Sequence, residues 1–187
     1  MVFSTGYDVQ ADIANSQLAQ GSLSKTIYKT GPGSFKSLVN SSDASNVSSG
    51  WRSEVQYGSL QTPNEGCIEY DVMYESVCKD NCHSLQYHPE TAGGSCAPGF
   101  MHISGKFVWS NWKNGGNTQY QTGYTIPTNK WLHIVYRYKF ASNGYAKWLV
   151  DGQVLPDKTN IHAGYGSGQY LKLGQNLWNV NIESVLY

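Results

Sequence analysis

Charge is scarce in this chain and it cancels: only 14% of the 187 residues are Asp, Glu, Lys or Arg, with 13 acidic against 13 basic. A nucleic-acid partner, held by bulk attraction to a basic surface, is therefore not expected. No apolar run approaches the ~18 residues of a membrane-spanning helix, so no membrane partner is expected either. Apolar stripes at helical spacing are also missing, and only residues 8–24, with Ala11, Ile13, Ala14, Leu18 and Ala19, could hold a helical turn or two. The five histidines, at 83, 88, 102, 133 and 162, show neither H-x3-H nor H-E-x2-H spacing. The four cysteines lack the paired C-x2-C pattern of a structural zinc site, and no G-x-S-x-G elbow marks a serine hydrolase. No catalytic metal is expected. Asp8, Asp12, Asp43 and Asp71 offer oxygen ligands for a structural calcium, although no calcium-loop pattern joins them.

What the chain has instead is 20 Gly, 14 Tyr and 6 Trp. Aromatic and β-branched runs broken by turn clusters predict strands near 25–29, 34–39, 51–57, 66–74, 83–88, 99–104, 106–110, 119–124, 131–140, 145–150, 169–175 and 180–187. In the clearest, Leu132, Ile134, Tyr136, Tyr138 and Phe140 share a core face while His133, Val135, Arg137 and Lys139 take the other. Asn143-Gly144 and Asp151-Gly152 then turn the chain into a meander. The fold class is all-β: a sandwich or jelly roll of two antiparallel sheets, one domain over residues 1–187. That length supports a core without a partner, so a monomer is expected. Cys67, Cys78, Cys82 and Cys96 cluster within thirty residues, as two disulfides stapling a loop region in an oxidising compartment would. Three pairings are open, with Cys78–Cys82 and Cys67–Cys96 preferred. Sequons at Asn40 and Asn46 agree with secretion. Met1-Val2-Phe3 runs straight into polar sequence, as in a secreted chain expressed behind an added Met without its signal.

Alternation along strands selects the candidate functional residues. Arg52 and Glu54 share one face of their strand, Gln86 and His88 of theirs, and Lys172, Gly174 and Asn176 of a third. Three strands remote in sequence can thus offer polar groups to one surface. Arg52 and Glu54 can equally form an ion pair on a solvated face. Trp51, Trp131 and Trp148 sit where core packing is the default. Trp109 and Trp112 flank a polar, Gly-rich hairpin and are candidates for stacking on sugar rings, with Trp178 sharing the parity of Lys172 and Asn176.

The order of R-S-E at 52–54, Q-Y-H at 86–88, W-L-H-I-V-Y-R-Y at 131–138, W-L-V-D-G at 148–152 and Y-L-K-L-G at 170–174 resembles that of jelly-roll polysaccharide lyases. The likeness is to the heparin-lyase-like and glucuronan-lyase-like groups, and more distantly the small alginate lyases, over roughly residues 25–187. It implies a concanavalin-like fold whose concave sheet binds an acidic polysaccharide through these motifs. Asn176 stands where the alginate lyases carry a catalytic Tyr. β-Elimination of a uronate needs its carboxylate neutralised, a base for the C5 proton and an acid for the departing O4. Arg52 suits the first task with Gln86 and Asn176 as neutral donors, and His88 the second. Tyr170 or Tyr165 suits the third, because Tyr87 points away from His88 on a regular strand. Glu54 and Lys172 join Trp109, Trp112, Asn176 and Trp178 as substrate-binding candidates. Two alternatives stay open: a non-catalytic lectin-like module, and a glycoside hydrolase using a carboxylate pair drawn from Glu54, Glu69 and Glu183.

Overall fold

The computed structural model describes residues 21–26, 29, 34–39, 51–60, 65–77, 82–89, 99–113, 116–139, 144–155, 158–161, 169–177 and 183–186. These form strands β1 (Gly21–Ser24), β2 (Ser34–Val39), β3 (Trp51–Leu60), β4 (Glu65–Ser76), β5 (Cys82–Pro89), β6 (Gly99–Ile103), β7 (Lys106–Lys113), β8 (Gly116–Thr125), β9 (Trp131–Lys139), β10 (Gly144–Val150), β11 (Gln153–Val154), β12 (Lys158–Ile161), β13 (Gln169–Leu177) and β14 (Glu183–Leu186). No helix occurs among the described residues. An eight-stranded sheet runs β1-β2-β14-β4-β9-β10-β11, with β12 also on β10, and a six-stranded sheet runs β3-β13-β5-β6-β7-β8. The expected all-β sandwich of antiparallel sheets is present. The expected strand at 25–29 is not: residues 25, 26 and 29 are bends, and the edge strand β1 lies just before them. The rest of the helical turn expected within 8–24 falls outside the described residues.

Alternation builds the core. On β9, Leu132, Ile134, Tyr136 and Tyr138 are buried while His133, Val135, Arg137 and Lys139 alternate with them on the other side. On β10, Ala146, Trp148 and Val150 do the same, and the Trp148 ring stacks on Tyr136 at 4.0 Å between centroids. Ile68, Val72 and Tyr74 of β4 complete the eight-stranded sheet's contribution. Leu85 and Phe107 come from the facing sheet, where Phe107 meets Tyr74 edge-on at 6.1 Å and stacks on Tyr124 at 5.5 Å. A hydrogen bond of 3.1 Å between the Tyr74 and Ser84 hydroxyls ties the sheets across this core.

Two tight turns close hairpins of this frame. Ser104-Gly105 (φ 51° and 71°) joins β6 to β7, and Asp151-Gly152 (φ 49° and 78°) joins β10 to β11. Both central residues have positive φ, as a two-residue hairpin turn matching the strand twist demands. Asp151 reinforces its turn. Its N–H donates to the His133 carbonyl at 2.9 Å, and its carboxylate accepts the His133 N–H at 2.9 Å. That backbone hydrogen bond, and Lys130 at 3.0 Å, hold the Asp151 carboxyl below its ordinary pKa.

Of the cysteines, Cys67 carries a free, exposed thiol on β4, so the preferred Cys67–Cys96 bridge is not formed. Cys67 lies on the face of the eight-stranded sheet turned away from the core, one residue before buried Ile68. Cys82 is buried at the start of β5 in the other sheet. Cys78 and Cys96 lie outside the described residues, as do both sequons.

Candidate functional site

The six-stranded sheet places β3, β13 and β5 side by side, and these three strands carry the R-S-E, Y-L-K-L-G and Q-Y-H segments. Directly opposed residues of an antiparallel pair lie on one face of the sheet. Leu173 pairs with Val55 and Leu85, and Leu173 and Leu85 pack into the core. That row marks the inner face, and its odd-numbered companions on β13 follow it.

The outer face then reads in rows across the sheet. Asn176 pairs with Arg52 on one side and His83 on the other. The same row continues through Met101 on β6, Val108 on β7 and Gln121 on β8. Gln121 is exposed, yet Val108 is fully buried although its row faces away from the core, so the face is covered at that point. One step along β13, Gly174 pairs with Glu54; Gly174 is buried and adopts φ 131°, a conformation that penalises a side chain. The next outer row is Gln56–Lys172–Gln86, and the one beyond pairs Tyr170 with His88.

The register therefore unites some expected partners and separates others. Gln86 and Lys172 are direct neighbours, as are His88 and Tyr170, and as are Arg52 and Asn176. Arg52 and His88, expected to act on one sugar, are not: their rows lie six residues apart on β13, about 20 Å at ~3.3 Å per residue. His83, by contrast, lies in Arg52's own row, two strand spacings away, about 10 Å. The reason sequence reading passed over His83 is local. β5 pairs its residues 83 and 85 with the consecutive residues 101 and 100 of β6, so Ser84 is an extra residue, a β-bulge. Ser84 and Leu85 are both buried, and the alternation slips by one. Positions 83 and 88, five apart and so of opposite parity on a regular strand, end on the same face.

Further corrections follow from register. Trp109 pairs with Phe100 and Tyr120; Phe100 pairs with buried Leu85, and Tyr120 packs against the core. Position 109 thus belongs to the inner face, whereas 112, of opposite parity on β7, belongs to the outer one. The two positions thus fall on opposite faces of the sheet. Glu69 and Glu183 lie in the eight-stranded sheet and Glu54 in the six-stranded sheet. Glu54 and Glu69 thus lie on different sheets, so these two do not form a carboxylate pair across one glycosidic bond. His133 does not converge with His83 and His88. It is held on the other sheet's outer surface between Asp71 (Nδ1 to Oδ1, 3.0 Å) and Glu69 (Nε2 to Oε1, 3.2 Å). Asp71, offered above for calcium, also pairs with Lys29 at 2.6 Å, and the other three aspartates lie outside the described residues. Among the described residues no cluster of three His, Cys, Asp or Glu is placed to hold a metal. Tyr165 and Trp178 lie outside the described residues.

No family model matches the chain, and no curated protein matches it by sequence. Solved structures do share its fold. The endo-β-1,4-glucuronan lyase of the fungus Trichoderma reesei superposes with a TM-score of 0.68 at 14% identity, over 89% of this chain and 83% of that one. The cellulose-induced protein Cip1 gives 0.68 at 13%, over 98% and 91%. An alginate lyase of Pseudomonas aeruginosa gives 0.59 at 16%, over 95% and 86%. The receptor-binding domain of botulinum neurotoxin type G shares the fold as well, over 90% of this chain and 41% of its own, at a TM-score of 0.58 and 14% identity. The chain has the jelly-roll fold on which both lyases and binding domains are built.

Proposed function

We propose that this protein is a secreted polysaccharide lyase that cleaves a uronic-acid-containing glycan by β-elimination at the Arg52–Asn176–His83 row. The observation that carries this reading is the register that sets a guanidinium-, a carboxamide- and an imidazole-bearing residue in one line across three neighbouring strands. Arg52 neutralises the uronate carboxylate with its planar, permanently charged fork, which makes the C5 proton acidic. Asn176 adds a neutral donor to the enolate-like charge that develops on the carboxylate. His83 takes the C5 proton; the C5–H electron pair becomes the C4–C5 double bond, and the C4–O4 pair departs with O4. No hydroxyl acid stands in this row, and His83 is its one residue of the type that commonly serves as both base and acid. The imidazolium formed in the first half of the reaction therefore returns the proton to O4. This assignment replaces His88 as base and Tyr170 as acid, both of which lie about 20 Å from Arg52 along β13.

A second reading, a lectin-like module using the same face, is favoured by one feature: Asn176 occupies the position where alginate lyases carry their catalytic Tyr. The fold's use in a toxin's receptor-binding domain is consistent with it. One experiment separates the readings. A panel of polyuronates and neutral glycans is incubated with the protein while ultraviolet absorbance and reducing ends are both followed. Unsaturated, absorbing product on a polyuronate is the expected result. Reducing ends without that product would mean hydrolysis, and neither, with the glycan still retarded in an affinity gel, would leave binding alone.

A further inference from the structure

Position 83 stands beside a break in the alternation of β5, and that break is fixed from the opposite sheet. The inner row Leu173–Leu85–Phe100 and the outer row Asn176–His83–Met101 are separated by three residues on β13, two on β5 and one on β6. Odd steps on β13 and β6 carry a regular strand from one face to the other, whereas an even step on β5 does not. β5 joins both rows only by breaking its alternation at Ser84. Ser84 is 1% exposed, and its hydroxyl meets the Tyr74 hydroxyl at 3.1 Å across the sandwich. Tyr74 is itself held in place. It is fully buried, its ring meets Phe107 edge-on at 6.1 Å, and its carbonyl accepts the Asn129 N–H at 2.7 Å.

We propose that Ser84 and Tyr74 are a positioning pair: their hydrogen bond holds β5 in the bulged register that keeps position 83 in the row of Arg52 and Asn176. The inference rests on the reading of His83 as the base. A serine hydroxyl is costly in an apolar core without a polar partner, so the bond to Tyr74 selects the arrangement in which position 84 is turned inward. Regular alternation from Leu85 would instead turn position 84 outward and position 83 toward the core. Both residues are buried, so they act on the site through the backbone of β5 and touch no glycan. Removing either hydroxyl deletes this hydrogen bond and little apolar contact, which leaves the sandwich standing while the preference for the bulged register weakens.

The test compares Ser84→Ala, Tyr74→Phe and the double variant with wild type, at a temperature where thermal unfolding shows each to be folded. Steady-state kinetics are measured on the polyuronate that the panel above shows to be cleaved, and amide hydrogen exchange is followed alongside. Each single variant should lower kcat on the order of tenfold with KM within about twofold, since a displaced base slows the chemistry without weakening the hold on the carboxylate. The double variant should fall no further than the slower single, because the same bond is lost in all three. Exchange at residues 83–85 should quicken roughly five- to tenfold while β9 and β10 exchange as in wild type. The two substitutions lie in different sheets, so either carries the test if the other variant does not fold. Unchanged kcat in the folded variants, as a purely structural bond would give, or losses that multiply in the double variant, overturns the positioning role. A wild type that forms no unsaturated product sinks the lyase reading alone. Exchange at 83–85 then decides whether the pair holds the bulge, and unchanged exchange means that it does not.

Discussion

Replacing His83 and His88 by alanine in parallel distinguishes the two imidazoles of β5. They share a face, but only His83 lies in Arg52's row, about 10 Å away across two strand spacings, while His88 lies about 20 Å from Arg52 along the strand. A base must reach the proton it removes while the cation holds the same sugar's carboxylate, and even a 1 Å misplacement can cost about a hundredfold in rate. His83→Ala should therefore lower kcat by roughly 10²–10⁴-fold, a barrier increase of about 3–5 kcal/mol. His88→Ala should change kcat by less than about threefold and act, if at all, on KM. The assay is the initial rate of ultraviolet absorbance on a polyuronate, with thermal unfolding confirming that both variants fold. For the wild type, kcat/KM should fall in acid, because only neutral imidazole accepts the proton. Abolished turnover in His88→Ala with turnover retained in His83→Ala would falsify the row assignment and restore the Gln86–His88 motif as the catalytic one.

Two predictions concern the frame that holds the site. Trp148, 1% exposed and stacked on Tyr136, should cost about 3–5 kcal/mol when cut to Ala, lowering Tm by roughly 6–20 °C in calorimetry; a shift under about 2 °C would contradict the packing. Asp151→Asn keeps a side-chain acceptor for the His133 N–H but removes the charge, and should cost about 0.5–1 kcal/mol at neutral pH, a modest value because Asp151 is exposed. The folded pKa of Asp151 is depressed, so its contribution is present above the unfolded carboxyl pKa of ~3.9 and disappears as pH falls through the lower folded value. The gap between wild type and variant, followed by thermal unfolding against pH, should close in strong acid. A gap that stays constant down to pH ~2 would rule out a charge effect.

The sandwich was legible because its signals are local. The alternation over 131–139, the Asp151-Gly152 turn and the meander β9-β10-β11 are each written within a few residues, and buried Leu132, Ile134, Tyr136 and Tyr138 follow them. That three remote strands carry the polar motifs was also legible, and β3, β13 and β5 are indeed adjacent. What could not be read was how far each slides past the next. Arg52 and His88 look like parts of one motif set in the sequence, yet the pairing of Arg52 with Asn176 and of His88 with Tyr170 spaces them about 20 Å apart. Position 109 illustrates the same difficulty. Its Gly-rich surroundings suggested exposure, but its register partners Phe100 and Tyr120 belong to the inner face.

The bulge at Ser84 links core and site in a way that explains why His83 was the residue missed. An extra residue in β5 leaves two consecutive positions, Ser84 and Leu85, on the inner face. Burying a serine there demands a polar partner, and the Tyr74 hydroxyl from the opposite sheet supplies one at 3.1 Å. Against β13 the register also shifts over this stretch, between Leu173 and Asn176, and position 83 falls in the row of Arg52 and Asn176. A packing irregularity in the core thus coincides with the place where position 83 enters the row of position 52, two strands away. Bulges are enriched next to active sites because they re-aim a side chain without altering the strand order, and here the bulge adjoins the position proposed above as the base.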